Sequence, residues 1–397
     1  MGEKRFVYMD HAATTFTKPE VAEAMLPFLK EHFGNPSSLY SIGREGKEAV
    51  EIAREQLARA LGADPEEIYF TSGGTESDNW AVKGTAFARR KKGKHIITTS
   101  IEHHAVLYPC KYLETQGFDV TYLPVDRNGL VDPAEVEAAI RKDTTILISV
   151  MYANNEIGTI EPIQEIGEVA KEYDVPFHTD AVQIIGNVPL EMKRMHRNVD
   201  VLSLSSHKFY GPKGIGALYI REGTEIDNYM HGGGQERRKR AGTENVAGIV
   251  GMGKAIELAT ANIEKHNEKI RKMRDRLLSG VLQITHCRLN GHPEKRLAGN
   301  LNFSFEYIEG ESLLLMLDQM RICGSTGSAC SSGSLEPSHV LRAIGLPPEI
   351  AQGSLRLTLG DANSEEDIDY VLEVLPEIVG KLRAMSPFYK PATVCEK

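Results

Sequence analysis

The chain has 397 residues, 41% of them hydrophobic and 25% charged, a balance that excludes a disordered chain and allows a large buried core. A formal net charge of −9 excludes nucleic acid as the main partner, because a phosphate backbone calls for a basic surface. Five scattered cysteines with no CxxC pair exclude a disulfide framework and a zinc site, and no run reaches the ~20 apolar residues of a membrane span, so the expected address is the cytoplasm.

One core stops growing beyond about 250–300 residues. The length therefore predicts one large domain and a smaller one, whose bounds we set at 15–260 and at 1–14 with 261–385, and the polar, proline-containing tail, 386–397, is expected to be mobile. In chain order, a strand from Phe6 to Met9 runs into the small and polar loop Asp10-His11-Ala12-Ala13-Thr14-Thr15. A helix starts at Lys18-Pro19 with Val21, Met25, Phe28 and Leu29 at helical spacing, and Gly34-Asn35-Pro36-Ser37-Ser38 breaks it. A second amphipathic helix carries Val50, Ala53, Leu57 and Leu61 to a stop at Gly62.

Strands follow at Ile68 to Thr71, His95 to Thr99, Val120 to Leu123, Thr145 to Val150, Val175 to Thr179, Val201 to Leu204 and Ala217 to Ile220, most of them separated by helices. Ile146-Leu147-Ile148-Ser149-Val150 is apolar without alternation, as a strand covered on both faces should be. The fold class is therefore α/β, with a mostly parallel sheet in the large domain. After Gly242 one long helical stretch is expected from Val246 to about Leu282. Strands near Cys287 to Leu289, Asn300 to Phe305 and Leu355 to Leu359 then mix with helices near Glu311 to Met320, His339 to Ile344 and Ser364 to Arg383, which reads as a smaller α+β domain.

Polar residues gather where these strands end. Ser203-Leu204-Ser205-Ser206-His207-Lys208-Phe209-Tyr210-Gly211-Pro212 closes an apolar strand, and Lys208 there reads either as a solvated loop lysine or as a partly desolvated amine that forms a Schiff base. Ser72-Gly73-Gly74-Thr75-Glu76-Ser77 lies between strand and helix, a tight turn or a phosphate cup. His103-His104 opens a helix; a histidine there is a cap, a core residue or a ring that stacks on a flat ligand. Asn154-Asn155-Glu156 supplies amides, and the buried Asp180 needs a cation such as a protonated pyridine nitrogen. Cup, stacking ring, aspartate and lysine together are the parts of a pyridoxal phosphate site.

Two further features concern the reaction. Gly324 to Ser334 is a run of small residues around Cys330, flexible enough to carry a nucleophilic thiol, whereas Cys110, Cys287 and Cys323 fit burial as small hydrophobes. Arg356 interrupts an apolar strand, where it serves either a substrate carboxylate or a structural ion pair. The basic run Arg237-Arg238-Lys239-Arg240 reads by itself as a solvated face.

These motifs resemble the NifS/IscS-type cysteine desulfurases of the class V aminotransferase group, fold-type I pyridoxal phosphate enzymes, from Tyr8 to about Met385. The strongest parts are Asp10 to Thr15, Gly34 to Ser38, Ser72 to Asn79, Ser206-His207-Lys208 and Gly327-Ser328-Ala329-Cys330. The resemblance implies that Lys208 carries the cofactor aldehyde, His104 stacks on the ring, Asp180 pairs with its nitrogen and Gln183 contacts its oxygen. It implies phosphate contacts from Gly74, Thr75, Ser205 and His207, with Ser206 and Asn154 also binding the cofactor and Thr243 reaching the phosphate of a second subunit, hence a homodimer in which Arg237 to Arg240 form an interface rim. Asn35, Asn154 and Arg356 would orient L-cysteine, and Cys330 would take its sulfur as a persulfide for an iron-sulfur scaffold or another acceptor. No resident metal is implied, although Cys330 can transiently share a cluster with a scaffold.

The chain departs from the family pattern at Gly360-Asp361, where relatives often carry a basic residue, and in the tail ending Cys395-Glu396-Lys397. The rival readings are a selenocysteine lyase or another fold-type I enzyme on the same lysine and aspartate, and a non-catalytic sulfur-relay protein.

Overall fold

The computed structural model describes residues 5–326 and 337–389. Cys330 with most of its small-residue loop, and Cys395, lie outside the described residues. The strands are β1 (Val7–Tyr8), β2 (Ile68–Thr71), β3 (His95–Thr99), β4 (Asp119–Leu123), β5 (Thr145–Ser149) and β6 (Phe177–Asp180). They continue with β7 (Val201–Ser205), β8 (Gly216–Ile220), β9 (Cys287–Leu289), β10 (Asn300–Phe305), β11 (Ile322–Cys323) and β12 (Ser354–Thr358).

Seven of these form one sheet in the order β2-β8-β7-β6-β5-β3-β4. It is parallel throughout except at β8, which runs antiparallel to both of its neighbours. Helices cover both faces. On one side α1 (Pro19–Lys30) and α2 (Ser41–Leu61) pack with a later helix over Ile97, Ile148, Phe177, Leu202 and Leu204. On the other, α3 (Gly74–Asn79) passes through a π-helical turn, Trp80–Gly84, into α4 (Thr85–Arg89), and α5 (His104–Thr115) lies beside it. That second side holds Val82, Ala86, Ile96, Val106 and Leu147.

This face also explains why the strands were only partly legible as apolar. Register pairs Ser149 with His178 and Asp180 with Ser203, so residues two apart on neighbouring strands build a continuous polar strip. The strip lies at the carboxyl ends of the parallel strands, where an open α/β sheet offers its ligand crevice.

Two smaller helices, α6 (Pro133–Ala139) and α7 (Ile163–Glu172), flank the sheet before the long helical stretch. That stretch is two helices and not one: α8 (Val246–Thr260) and α9 (Ile263–Val281) meet at a 73° bend. The break falls at Asn262, whose φ of −151° and ψ of 54° are not helical. Its cause is a change of environment, since α8 is apolar and buried between α1 and α2 while α9 is amphipathic and faces a second core. No single helix among the described residues is long and apolar enough to cross a membrane.

The second core joins α9 to β10, β12, α10 (Gly310–Gln319) and a C-terminal helix, Glu365–Met385, and takes in Val7 and Met9 from the N-terminus. β1 pairs in parallel with β11, which ties the start of the chain to this unit. In the tail after Ser386, Phe388 is exposed, while the Tyr389 ring centroid lies 5.6 Å from that of Tyr307 with Arg383 over it.

Candidate active site

Lys208 follows β7 in a short 3-10 turn, Ser206–Lys208. Its Nζ donates to the Ala12 and Ala13 carbonyls at 2.7 and 2.8 Å, so the loop after β1 is drawn over the end of the sheet. Gln183 Nε2 donates to the same Ala12 carbonyl at 3.0 Å. His207 is fixed by Thr14, Nδ1 to Oγ1 3.0 Å, and burial, with Lys208 and Lys213 nearby, pushes its pKa down to about 4.

Asp180 ends β6 and is buried. Burial raises its pKa to about 6, against the opposing pull of the Val182 N–H at 2.9 Å and of Lys208. Such a group favours a cation placed on it.

The turn before α3 provides the cup. Gly73 has φ +153°, and a Cβ on Gly74 would stand 2.8 Å from Val182 Cγ2 and 3.4 Å from Ser205 Cβ. A Cβ on Gly216 would come within 2.7 Å of Gly73 Cα, so glycine at both places lets the helix N-terminus close on Ser205. Thr75 is exposed at the rim, and Glu76 is held by Arg240 through two bonds of 2.7 and 3.0 Å.

Several expected contacts differ from the observed ones. Ser206 is turned from the cup: its Oγ is buried without a hydrogen-bond partner among the described residues, against Gly211. His104, the expected stacking ring, lies instead on Tyr108, centroids 4.7 Å apart and planes 2° from parallel. The imidazole that feels Lys208 is that of His103, whose pKa is pushed down to about 4 by burial first and then by Lys208. The reason is helical geometry: His103 is the N-cap, its Nδ1 accepting from Ala105 N, while His104 is the first helical residue and points along the outer face towards position 108.

Asn154 is fully buried and committed to backbone. Its Nδ2 donates to Ile101 O at 2.9 Å and its Oδ1 accepts from Glu156 N and Ile157 N. It shapes the loop after β5 rather than presenting a free amide. Asn35 is exposed and its Oδ1 accepts locally from Ser37 N at 2.9 Å. Thr243 is also exposed, on the surface after Arg240.

Arg356 in β12 reaches the same cleft from the other core. Nη2 donates to Asp10 Oδ1 at 2.8 Å and Nη1 to Asn155 O at 3.1 Å. Asp10 feels both Arg356 and Lys208, and the loop after β1 takes the arginine at Asp10 and the lysine at Ala12 and Ala13, so one short segment brings guanidinium and amine together. The sequence shows Asp10 only as the head of the motif Asp10 to Thr15 and gives no sign of its partner 346 residues away.

A family description, aminotransferase class-V, matches residues 7–371. This chain belongs to that family. A class-V relative named cysteine desulfurase IscS, from Methanosarcina thermophila, is 65% identical over 97% of this chain and 95% of its own length. Another of the same name, from Clostridium botulinum, is 62% identical with 97% of each chain covered. Among solved structures, a NifS-like protein has a TM-score of 0.90 at 41% identity, covering 95% of this chain and all of its own. A structure titled SspA in complex with cysteine has a TM-score of 0.79 at 40% identity, covering 89% of this chain and 98% of its own.

The cofactor of this class-V chain is pyridoxal phosphate, and the residues fit it. The glycine cradle at the helix N-terminus suits a phosphate, the buried Asp180 suits a ring cation, and the Lys208 amine acts on both Asp180 and the Asp10 that holds Arg356.

Proposed function

We propose that the protein is a pyridoxal phosphate-dependent cysteine desulfurase that releases L-alanine from L-cysteine and passes the sulfur on as a Cys330 persulfide. The observation that carries this reading is the meeting of Lys208 and Arg356 on the loop Asp10 to Ala13, in a chain 65% identical to a cysteine desulfurase over almost its whole length.

Gly74, Thr75, Ser205 and His207 would hold the phosphate, Asp180 the ring nitrogen, Gln183 the ring oxygen and Lys208 the aldehyde, with His103 rather than His104 over the ring. Bound there, the cofactor supplies a carbonyl for the substrate amine and a sink for electrons from Cα. Arg356 orients the substrate carboxylate, and Lys208 Nζ accepts the Cα proton once its amine is released. The Cys330 thiolate attacks the substrate sulfur; an S–S bond forms, the C–S bond breaks, and its electron pair stays with the substrate carbon, which takes up protons to become alanine.

A second copy of the chain completes the assembly in this reading. Exposed Leu29, Phe33, Leu39 and Tyr40 on and after α1 support an apolar contact, and Thr243 stands free to reach across it. The acceptor is an iron-sulfur scaffold or another thiol-bearing protein, and the address is the cytoplasm, consistent with free Cys110, Cys287 and Cys323. The large domain is taken as 15–260 and the small one as 1–14 with 261–385, in line with the two cores.

The decisive experiment is an absorbance spectrum with and without L-cysteine, coupled to detection of alanine. Yellow protein that yields alanine and sulfide, with Cys330→Ala keeping the colour and losing sulfide release, supports the reading. Full activity in Cys330→Ala sinks it in favour of a lyase, and colourless, unresponsive protein favours a sulfur relay.

A further inference from the structure

Beside Asp180 lies a second buried carboxyl group that the reaction above does not use. Asp78 projects from α3 onto the polar strip of the sheet and is 1% exposed. Its Oδ1 has no hydrogen-bond partner among the described residues and lies 3.6 Å from His178 Nε2. Ser203 is its hydroxyl neighbour.

Among the described residues no cation faces Asp78. His178 stands between two hydroxyls, Nδ1 2.8 Å from Ser149 Oγ and Nε2 3.0 Å from Ser203 Oγ. A neutral imidazole satisfies both, because each hydroxyl can donate or accept. Burial pushes the His178 pKa down to about 3, in agreement with a neutral ring. The charged groups that act on Asp78 are acidic: Asp180 at the end of β6 and Glu102 in the turn after β3. A carboxylate at this place would be a desolvated anion facing other acids, which burial and like charge both oppose.

We propose that Asp78 is a permanently protonated positioning acid, whose neutral carboxyl group orients Ser203 and, through it, His178, and leaves Asp180 to carry the negative charge beneath the cofactor ring. The assignment rests on the pyridoxal phosphate reading of this site. It requires the shape and hydrogen bonding of a carboxamide-sized group at position 78, and it requires the absence of charge there. An ionised Asp78 would repel Asp180 and weaken its hold on a ring cation.

The test compares wild type, Asp78→Asn and Asp78→Leu by cofactor titration of the apoprotein, by the pH dependence of the visible band, and by the infrared spectrum of the apoprotein. Asp78→Asn is expected to bind pyridoxal phosphate within about threefold of wild type and to titrate at the same pH, since a neutral group replaces a neutral one of the same shape. Asp78→Leu is expected to bind at least about tenfold more weakly, a loss of about 1.4 kcal/mol. The infrared signal of a protonated carboxyl group should be smaller in Asp78→Asn than in wild type at neutral pH. A shift of about one pH unit or more in Asp78→Asn, binding as weak as in Asp78→Leu, or an unchanged protonated-carboxyl signal overturns the proposal. Wild type that fails to bind the cofactor overturns the reading of the site instead, and the infrared comparison then still decides the state of Asp78.

Discussion

Asp10 Oδ1 accepts a hydrogen bond of 2.8 Å from Arg356 Nη2, an ion pair whose arginine side chain is 4% exposed. The pair holds the guanidinium fork in the cleft in its extended form, while Arg356 Nε is left without a partner among the described residues. A substrate carboxylate entering the cleft meets an arginine already oriented by Asp10 and by the Asn155 carbonyl. Arg356→Lys keeps the charge and loses the fork. It is expected to raise KM for L-cysteine by about 10- to 100-fold, the worth of one to two charged hydrogen bonds, with the visible cofactor band unchanged. Steady-state kinetics beside an absorbance spectrum checks this; an unaltered KM would leave Arg356 a structural partner of Asp10.

His103 and His104 are adjacent and should respond differently. His103 is half-buried and feels Lys208, and His104 lies on the surface ring of Tyr108. His103→Ala is expected to weaken cofactor retention by about tenfold or more, the loss of an aromatic contact, and His104→Ala to leave it within about twofold. Dialysis followed by absorbance measures both, and the reverse order would return the stacking role to His104.

The buried acids set a pH dependence in the apoprotein. Burial raises the Asp180 pKa from 3.8 to about 6, so the folded chain holds this proton more firmly than the unfolded one. Its favourable contribution is complete below about pH 4 and is lost as pH rises through about 6. Glu102, raised to about 8 by burial, extends the loss to higher pH. His103, His178 and His207, whose pKa values burial lowers, act in the opposite sense in wild type and variant alike, so the Asp180 contribution is read as a difference: the melting temperature of Asp180→Asn relative to wild type should rise by about a few degrees as pH climbs from 5 to 7. Calorimetry across this range decides it, and an identical slope in the variant would place its origin elsewhere.

Arg54 and Glu236 form a buried pair with both side chains 4% exposed, joined at 2.8 and 2.9 Å. Glu236 Oε2 also accepts the Phe70 N–H at 2.7 Å. The pair anchors a segment in which Glu236, Arg237 and Arg238 all have positive φ, 44°, 55° and 67°. Three successive left-handed residues persist only where surrounding contacts impose them. Arg54→Ala leaves an unpaired buried carboxylate and is expected to cost about 3–5 kcal/mol. Urea unfolding measures that loss, and a change below about 1 kcal/mol would show the strained segment to be held by other contacts.

Much of the site was legible because its residues come in short local motifs. Gly73-Gly74 before a helix, and Ser205 to Lys208 after an apolar strand, report local backbone demands that any α/β chain must meet. The misplaced features are those that depend on direction. Whether His103 or His104 faces the cleft depends on where the helix begins, a difference of one residue that neighbouring identical side chains cannot signal. The single helix expected from Val246 to Leu282 failed because helical spacing continues through Asn262 while the buried face changes partner.

The sequence alone determined the alternation of helix and strand, the mostly parallel sheet, and the lysine, aspartate and glycine cup at its strand ends, because each follows from periodicity and from residue types confined to a few neighbours. Tertiary structure alone decided the Asp10–Arg356 pair, the burial of Asn154 in backbone bonds, and the polar strip of Ser149, His178, Asp180 and Ser203 beneath Asp78. These depend on strand register and on contacts between distant segments, and the free energy of a buried charge is set by what packs around it, not by its neighbours in the chain.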